Sequence, residues 1–132
     1  MDHRRWARRV AQSTWARIGV SKIHGVGVVA LRLIPKGTTV FRYREKFVAL
    51  TSRELRELFP HPAVRKLIGD FSPREDGRVQ VARDFPCSID IGSYMNTSAN
   101  PNMALVETKN EYRFVAKRRI KTGEELTWAY PL

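Results

Sequence analysis

Gly92-Ser93-Tyr94-Met95-Asn96-Thr97-Ser98-Ala99-Asn100-Pro101-Asn102 places Asn, Ser and Pro between apolar runs. That composition favours side-chain-to-backbone turns over a regular ladder, so the segment reads as a polar loop set among strands. Near the C-terminus, Glu124-Glu125-Leu126-Thr127-Trp128-Ala129-Tyr130 is apolar on alternate residues and reads as a short last strand. The two stretches are expected to meet in space and form one active site.

Working outward, Leu105-Val106-Glu107-Thr108 and Tyr112-Arg113-Phe114-Val115-Ala116 flank the polar turn Lys109-Asn110-Glu111 and predict a hairpin. Ile120-Lys121-Thr122-Gly123 predicts another turn and echoes Ile34-Pro35-Lys36-Gly37, which precedes the β-favouring run Thr38 to Tyr43; four residues do not establish a repeat. Thr14 to Val20 predicts an opening strand, followed by Ser21-Lys22-Ile23-His24-Gly25-Val26-Gly27-Val28-Val29-Ala30. Its paired glycines allow either a tight turn or a close approach of backbone to a ligand. They are not the dinucleotide fingerprint, because no third glycine follows and the next run is β-like.

A helical insert is expected over about 51–69. Thr51-Ser52-Arg53-Glu54 fits a capping box, and a second helix runs from Pro62 to Ile68 with Gly69 closing it. Ser72 to Gly77 reads as a polar loop with an Asp-Gly turn before a strand at Val79 and Val81, and Phe85 to Ile91 as buried irregular chain. Many short strands with a small helical insert give a mainly β, α+β domain of several small sheets.

At 132 residues one domain is expected, with residues 1–13 as a basic arm or helix and 14–132 as the folded body. Lys and Arg number 24 against 13 acids, a formal charge of +11 that favours a polyanionic partner. The lone Cys87 excludes an internal disulfide and a cysteine-rich zinc site, and His3, His24 and His61 form no spaced ligand set, so no metal is expected. No apolar run reaches the length of a membrane span, so no membrane partner is expected.

Three separated stretches resemble, in the correct order, the SET-domain protein lysine methyltransferases. His24 to Ala30 with Ile34-Pro35-Lys36-Gly37 resembles the opening glycine motif and its turn. Asn96-Thr97-Ser98-Ala99-Asn100-Pro101-Asn102 resembles the Asn-His-Ser-Cys-x-Pro-Asn motif, and Gly123 to Tyr130 the Gly-Glu-Glu-Leu-Thr-aromatic-Asp-Tyr ending. The resemblance implies small sheets around a pseudoknot, S-adenosyl-L-methionine as cofactor, and a substrate lysine entering from the opposite face. Carried over residue by residue, it implies that His24, Gly25, Val26, Gly27, Asn96 and Thr97 hold the cofactor, that Tyr94 and Trp128 line the pocket or channel, and that Tyr130 and Tyr43 serve the transfer channel. For Trp128 and Tyr94 a plain core role is the competing reading.

The chain departs from the family pattern at Thr97 for His, Ala99 for Cys, Ala129 for Asp, and Glu45 for the glycine of a Tyr-x-Gly motif. With two residues after Tyr130, the reading expects a compact member without a cysteine-rich closing segment, or a partner chain that supplies that wall. The activity implied is methylation of a protein lysine, a histone or nucleosomal one first, in a nucleus or a host nucleus; a bacterial cytoplasmic origin, a homodimer and nucleic-acid contact through the basic surface stay open. The competing function is a SET-fold module that binds nucleic acid or chromatin without transferring methyl groups.

Overall fold

A computed structural model describes residues 2–44 and 46–129. In chain order its elements are α1 (His3–Ser13), β1 (Ala16–Val20), β2 (Val26–Ala30), β3 (Thr39–Tyr43), β4 (Phe47–Leu50), α2 (Ser52–Leu58), α3 (Pro62–Phe71), β5 (Arg74–Glu75), β6 (Arg78–Ala82), a 3₁₀ helix (Ile91–Tyr94), β7 (Asn96–Thr97), β8 (Met103–Glu107), β9 (Tyr112–Ala116) and β10 (Glu125–Trp128). They fall into two compact units, Met1–Arg44 with Tyr94–Leu132, and Glu45–Ser93.

The first unit carries two sheets. β1 and β2 form an antiparallel hairpin in register from Ala16↔Ala30 to Val20↔Val26. β10 then lies between β2, to which it is antiparallel, and β7, to which it is parallel through Thr127↔Asn96 and Trp128↔Thr97. The two stretches that opened the sequence reading therefore meet as neighbouring strands, and the Asn-rich segment does form a short ladder, contrary to the turn-only expectation. The ladder exists because β10 offers its free edge to Asn96 and Thr97. The second sheet, β3-β9-β8, contains the expected hairpin at Lys109–Glu111.

The core of this unit includes Val28, Ile34, Met103, Ile120 and Leu126, each at most 1% exposed. At its centre Ile34 and Ile120 form an isolated antiparallel bridge, each N–H donating to the other's carbonyl at 2.8 and 2.9 Å. Both residues open turns of the same form. Thr38 N donates to Pro35 O and Glu124 N to Lys121 O, with Gly37 (φ 87°) and Gly123 (φ 83°) at the third turn position, where only a positive φ fits. Each turn then clasps the chain entering the other: Gly37 N donates to Ala116 O and Ala116 N to Thr38 O, while Gly123 N donates to Ala30 O and Ala30 N to Glu124 O. The four-residue echo thus extends to Ala30, Arg32, Ile34 and Gly37 against Ala116, Arg118, Ile120 and Gly123 at identical spacing.

The second unit packs α2 and α3 with the sheet β4-β6-β5 around Leu50, Leu55, Ile68, Val79 and Val81. The capping box at Thr51 and Glu54 forms in both directions. Three expectations change here. Gly69 does not end α3, which runs on to Phe71, because its φ stays negative and the Lys66–Asp70 pair at 2.9 Å spans it. Arg74–Glu75 is a strand, since Asp76 (φ 53°) and Gly77 (φ 72°) make the two-residue turn that returns it onto β6. Phe85 to Ser88 is a run of turns and Ile91 opens the 3₁₀ helix, and because Pro86, Cys87 and Ile91 are exposed the segment is not buried chain.

Truncating Ile34 or Ile120 to Ala leaves a cavity against a fully buried partner and is expected to cost about 2–5 kcal/mol each. Urea denaturation checks this, and a loss under about 1 kcal/mol would remove the bridge from its central position.

Candidate functional site

The polar site is assembled where the β1–β2 turn faces β10 and β7. Ser21 opens the turn, with its N–H donating to Gly25 O at 2.9 Å, and its hydroxyl accepts from Ile23 N and His24 N at 2.9 and 3.1 Å. Gly25 takes φ 52°, the left-handed conformation that closes the turn. The same Ser21 hydroxyl lies 2.8 Å from both carboxylate oxygens of Glu125, and Lys22 N donates to Glu125 Oε1 at 3.2 Å.

Asn96 comes to this point from β7. Its Nδ2 lies 3.0 Å from Ser21 Oγ, 3.1 Å from Val26 O, 3.1 Å from Glu125 Oε2 and 3.2 Å from His24 O. An amide nitrogen carries two hydrogens, so four acceptors compete for two donors. The surplus makes the place acceptor-rich and suited to a small cation with several N–H donors, such as a primary ammonium. Gly27 lies beside it, where a Cβ would come within 2.6 Å of Glu125 Oε2 and 3.1 Å of Asn96 Nδ2. The glycine at 27 is required for space and the one at 25 for conformation.

Behind the site, Asn102 is 2% exposed and fastens β10 to the Asn-rich segment. Its Nδ2 donates to Glu125 O at 2.8 Å and to Glu124 Oε2 at 3.3 Å, while its Oδ1 accepts from Thr127 N at 2.8 Å. Ser98 N adds a bond to Trp128 O at 2.9 Å. Glu124 points to Arg118, whose hydrogen-bonded guanidinium holds the carboxyl below the usual carboxylate range. Burial opposes that shift, and the Lys121 N–H and the Asn102 amide assist it.

A row of aromatic rings forms the second feature. Tyr43 is buried and stacks on Tyr112 with centroids 5.0 Å apart, Phe114 meets Tyr43 edge-on at 6.1 Å, and Trp128 meets Phe114 edge-on at 5.2 Å. Tyr94 is half-buried against the same core.

Of the residues singled out from the sequence, His24, Gly25, Val26, Gly27 and Asn96 come together at the polar site, and Tyr43 and Trp128 in the aromatic row. Thr97 is exposed and contributes its backbone pairing with Trp128. Tyr130 and Glu45 lie outside the described residues. Sequence reasoning missed Ser21, Glu125, Asn102, Tyr112 and Phe114. Only Ser21 carried a local signal, a serine two and three residues before N–H groups that it can accept from.

Two expectations test this geometry. Gly27→Ala forces the Glu125 carboxylate and the Asn96 amide aside while costing the fold little, because side-chain termini give way. A shift of the Asn96 side-chain amide resonance with an intact backbone spectrum is expected, and an unmoved resonance would contradict the contact. Since the Glu124 pKa is lowered by folding, its contribution to stability is present above the unfolded carboxylate pKa and lost as pH falls through the folded value. The stability difference between wild type and Glu124→Gln should therefore shrink on acidification, read by urea denaturation from neutral to acid pH; a constant difference would contradict the ion pair.

Comparison with known families matches residues 25–131 to the SET domain. Histone-lysine N-methyltransferase trr of Drosophila melanogaster is 34% identical over 114 residues, which cover 83% of this chain and 4% of that much longer protein. The crystal structure of a candidate histone methyltransferase of Plasmodium falciparum superposes with a TM-score of 0.58 at 18% identity, over 89% of this chain and 94% of the other, a likeness of fold. The family match includes Val26, Gly27, Asn96 and Glu125 of the polar site, and the chain belongs to the SET-domain family.

Proposed function

We propose that the chain is an S-adenosyl-L-methionine-dependent protein-lysine N-methyltransferase whose substrate is a histone lysine, acting in a nucleus. The observation that carries this reading is the convergence of the Asn96 amide, the His24 and Val26 carbonyls, the Ser21 hydroxyl and the Glu125 carboxylate on one point. This donor set fits the amino-acid end of the cofactor, since its ammonium would supply the hydrogens for which the acceptors compete. Bound there, S-adenosylmethionine supplies an activated methyl group for transfer to an amine.

The chain's own residues would do the rest by binding, orienting and drying. Asn96, Ser21 and Glu125 bind and Gly27 leaves them room. Lysine titrates near 10.4 in water, so its amine must lose a proton before it can react. Apolar walls such as those of Tyr43, Tyr112, Phe114 and Trp128 disfavour the charged amine and favour that loss to water. By resemblance, the Tyr130 hydroxyl orients the neutral amine, and alignment supplies much of the acceleration without a dedicated acid–base pair.

The departures at Thr97, Ala129 and Glu45, together with the charge of +11, favour a second reading, a non-catalytic SET-fold module that binds nucleic acid or chromatin. Isothermal titration with S-adenosylmethionine decides first. Saturable binding by wild type, lost in Asn96→Ala, is expected, followed by radiolabelled methyl transfer to nucleosomes that Tyr130→Phe largely abolishes. A folded protein that binds no cofactor would favour the second reading.

A further inference from the structure

α1 lies outside the residues matched to the SET domain, and none of its residues is buried. The polar site makes no use of it. The helix is capped at one end and tied to its unit at the other. The Asp2 carboxylate accepts from Arg4 N and Arg5 N at 3.0 and 3.3 Å and caps the first turn. At the other end the Arg32 guanidinium donates to Ala11 O at 2.7 Å and stacks over Trp15, 3.8 Å from the ring centroid. A cation at a helix C-terminus is favourable, so Arg32 ties the helix to the body of its unit.

At 3.6 residues per turn, Arg4, Arg8, Gln12, Arg5 and Arg9 fall on one face, and Trp6, Ala7, Val10 and Ala11 on the other. The helix contains no acidic residue, and among the described residues none of its four arginines makes an ion pair. Like charges at i,i+4, as in Arg4/Arg8 and Arg5/Arg9, destabilise a helix that stands alone. A row of phosphates reverses the sign of that interaction. Membrane binding scales with the apolar area inserted, and here that face offers Trp6 and Val10 as its large side chains, with alanines elsewhere. The charge is therefore the feature that needs a partner, and the apolar face is too small to set the choice.

We infer that the Arg4, Arg5, Arg8 and Arg9 face of α1 is a docking surface for the phosphate backbone of duplex DNA. The choice of DNA over other polyanions rests on the histone-lysine reading, because DNA borders a nucleosomal lysine. Contacts are to phosphate, so binding is independent of base sequence and strongly dependent on salt.

The test uses fluorescence anisotropy of the full chain with a short labelled DNA duplex over a salt series. Replacing all four arginines with Gln keeps good helix formers and touches no buried residue. That variant should lose at least about tenfold in affinity at low salt, and its log K against log salt slope should fall by about 3–4 in magnitude, close to 0.9 per lost contact. Replacing the same four with Lys should preserve most of both. Unchanged affinity and slope in the Gln variant would overturn the inference. So would binding of RNA duplex without DNA, or co-sedimentation of wild type with phosphatidylserine vesicles but no DNA binding. Methyl transfer to a free histone peptide, measured on the same variant, separates the two readings: peptide activity unchanged with DNA affinity lost supports the docking surface, whereas an inactive wild type that still binds DNA through α1 would remove the enzymatic reading alone.

Discussion

Ile34 and Ile120 exchange two backbone hydrogen bonds inside an apolar core where neither side chain reaches water. Buried backbone groups must be paired, so this bridge fixes two distant chain segments with an alignment that neither can leave without exposing a polar group. The turns that follow each isoleucine then clasp the strand leading to the other. β10 begins directly after the second turn and so is delivered to β2 in a single register. A slip of one residue would turn Leu126, now fully buried, toward the polar side and bring Glu125 or Thr127 into the core.

That register also divides the work of two adjacent acids. Successive side chains along an extended strand point to opposite faces, so Glu124 and Glu125 meet different surroundings. Glu124 turns to Arg118 and Asn102 and is spent on holding the strand. Glu125 turns to Ser21 and Asn96, where its carboxylate shares two donor hydrogens with three other oxygen acceptors. The two hydrogens of the Asn96 amide cannot satisfy all four of the acceptors around it at once. Gly27 increases the crowding that is tolerated, because only the absence of a Cβ lets both side chains close over the turn.

Signals that act over a few residues were legible from sequence. The capping box at Thr51, the turn at Lys109–Glu111 and the Asn-rich and C-terminal stretches all rest on neighbours in the chain. Glu125 was read as part of a motif but given no role, since its partner Ser21 stands 104 residues away and only the sheet order joins them. The aromatic row was hidden for the same reason: Tyr112 and Phe114 read as ordinary alternating strand residues until β9 is laid beside β3. Gly69 misled because a glycine near a helix end is the usual stop signal, yet a glycine that keeps a helical φ is merely a weak helix residue. The strand at Arg74–Glu75 was obscured by its charged composition, which resembles a loop until the Asp-Gly turn returns it onto β6.

Charge acts in this chain on two length scales with opposite signs. Several acids are committed locally: Glu111 is flanked by Arg42, Arg44 and Arg113, Glu57 by Arg53, Asp70 by Lys66 and Glu124 by Arg118. The positive excess is therefore left on surfaces such as α1, and its field extends over a Debye length of about 8–10 Å before salt screens it. A cation approaching the Asn96–Glu125 site meets that unfavourable field first and gains its attraction only at hydrogen-bonding distance. A small cationic ligand would have to be held by the geometry of close acceptors, which discriminates by shape, whereas a large polyanion would be gathered by the field, which discriminates hardly at all. Raising the salt weakens the second interaction far more than the first. A basic surface and an acceptor-rich cluster in one small chain are thus compatible, because each works at a distance where the other is weak.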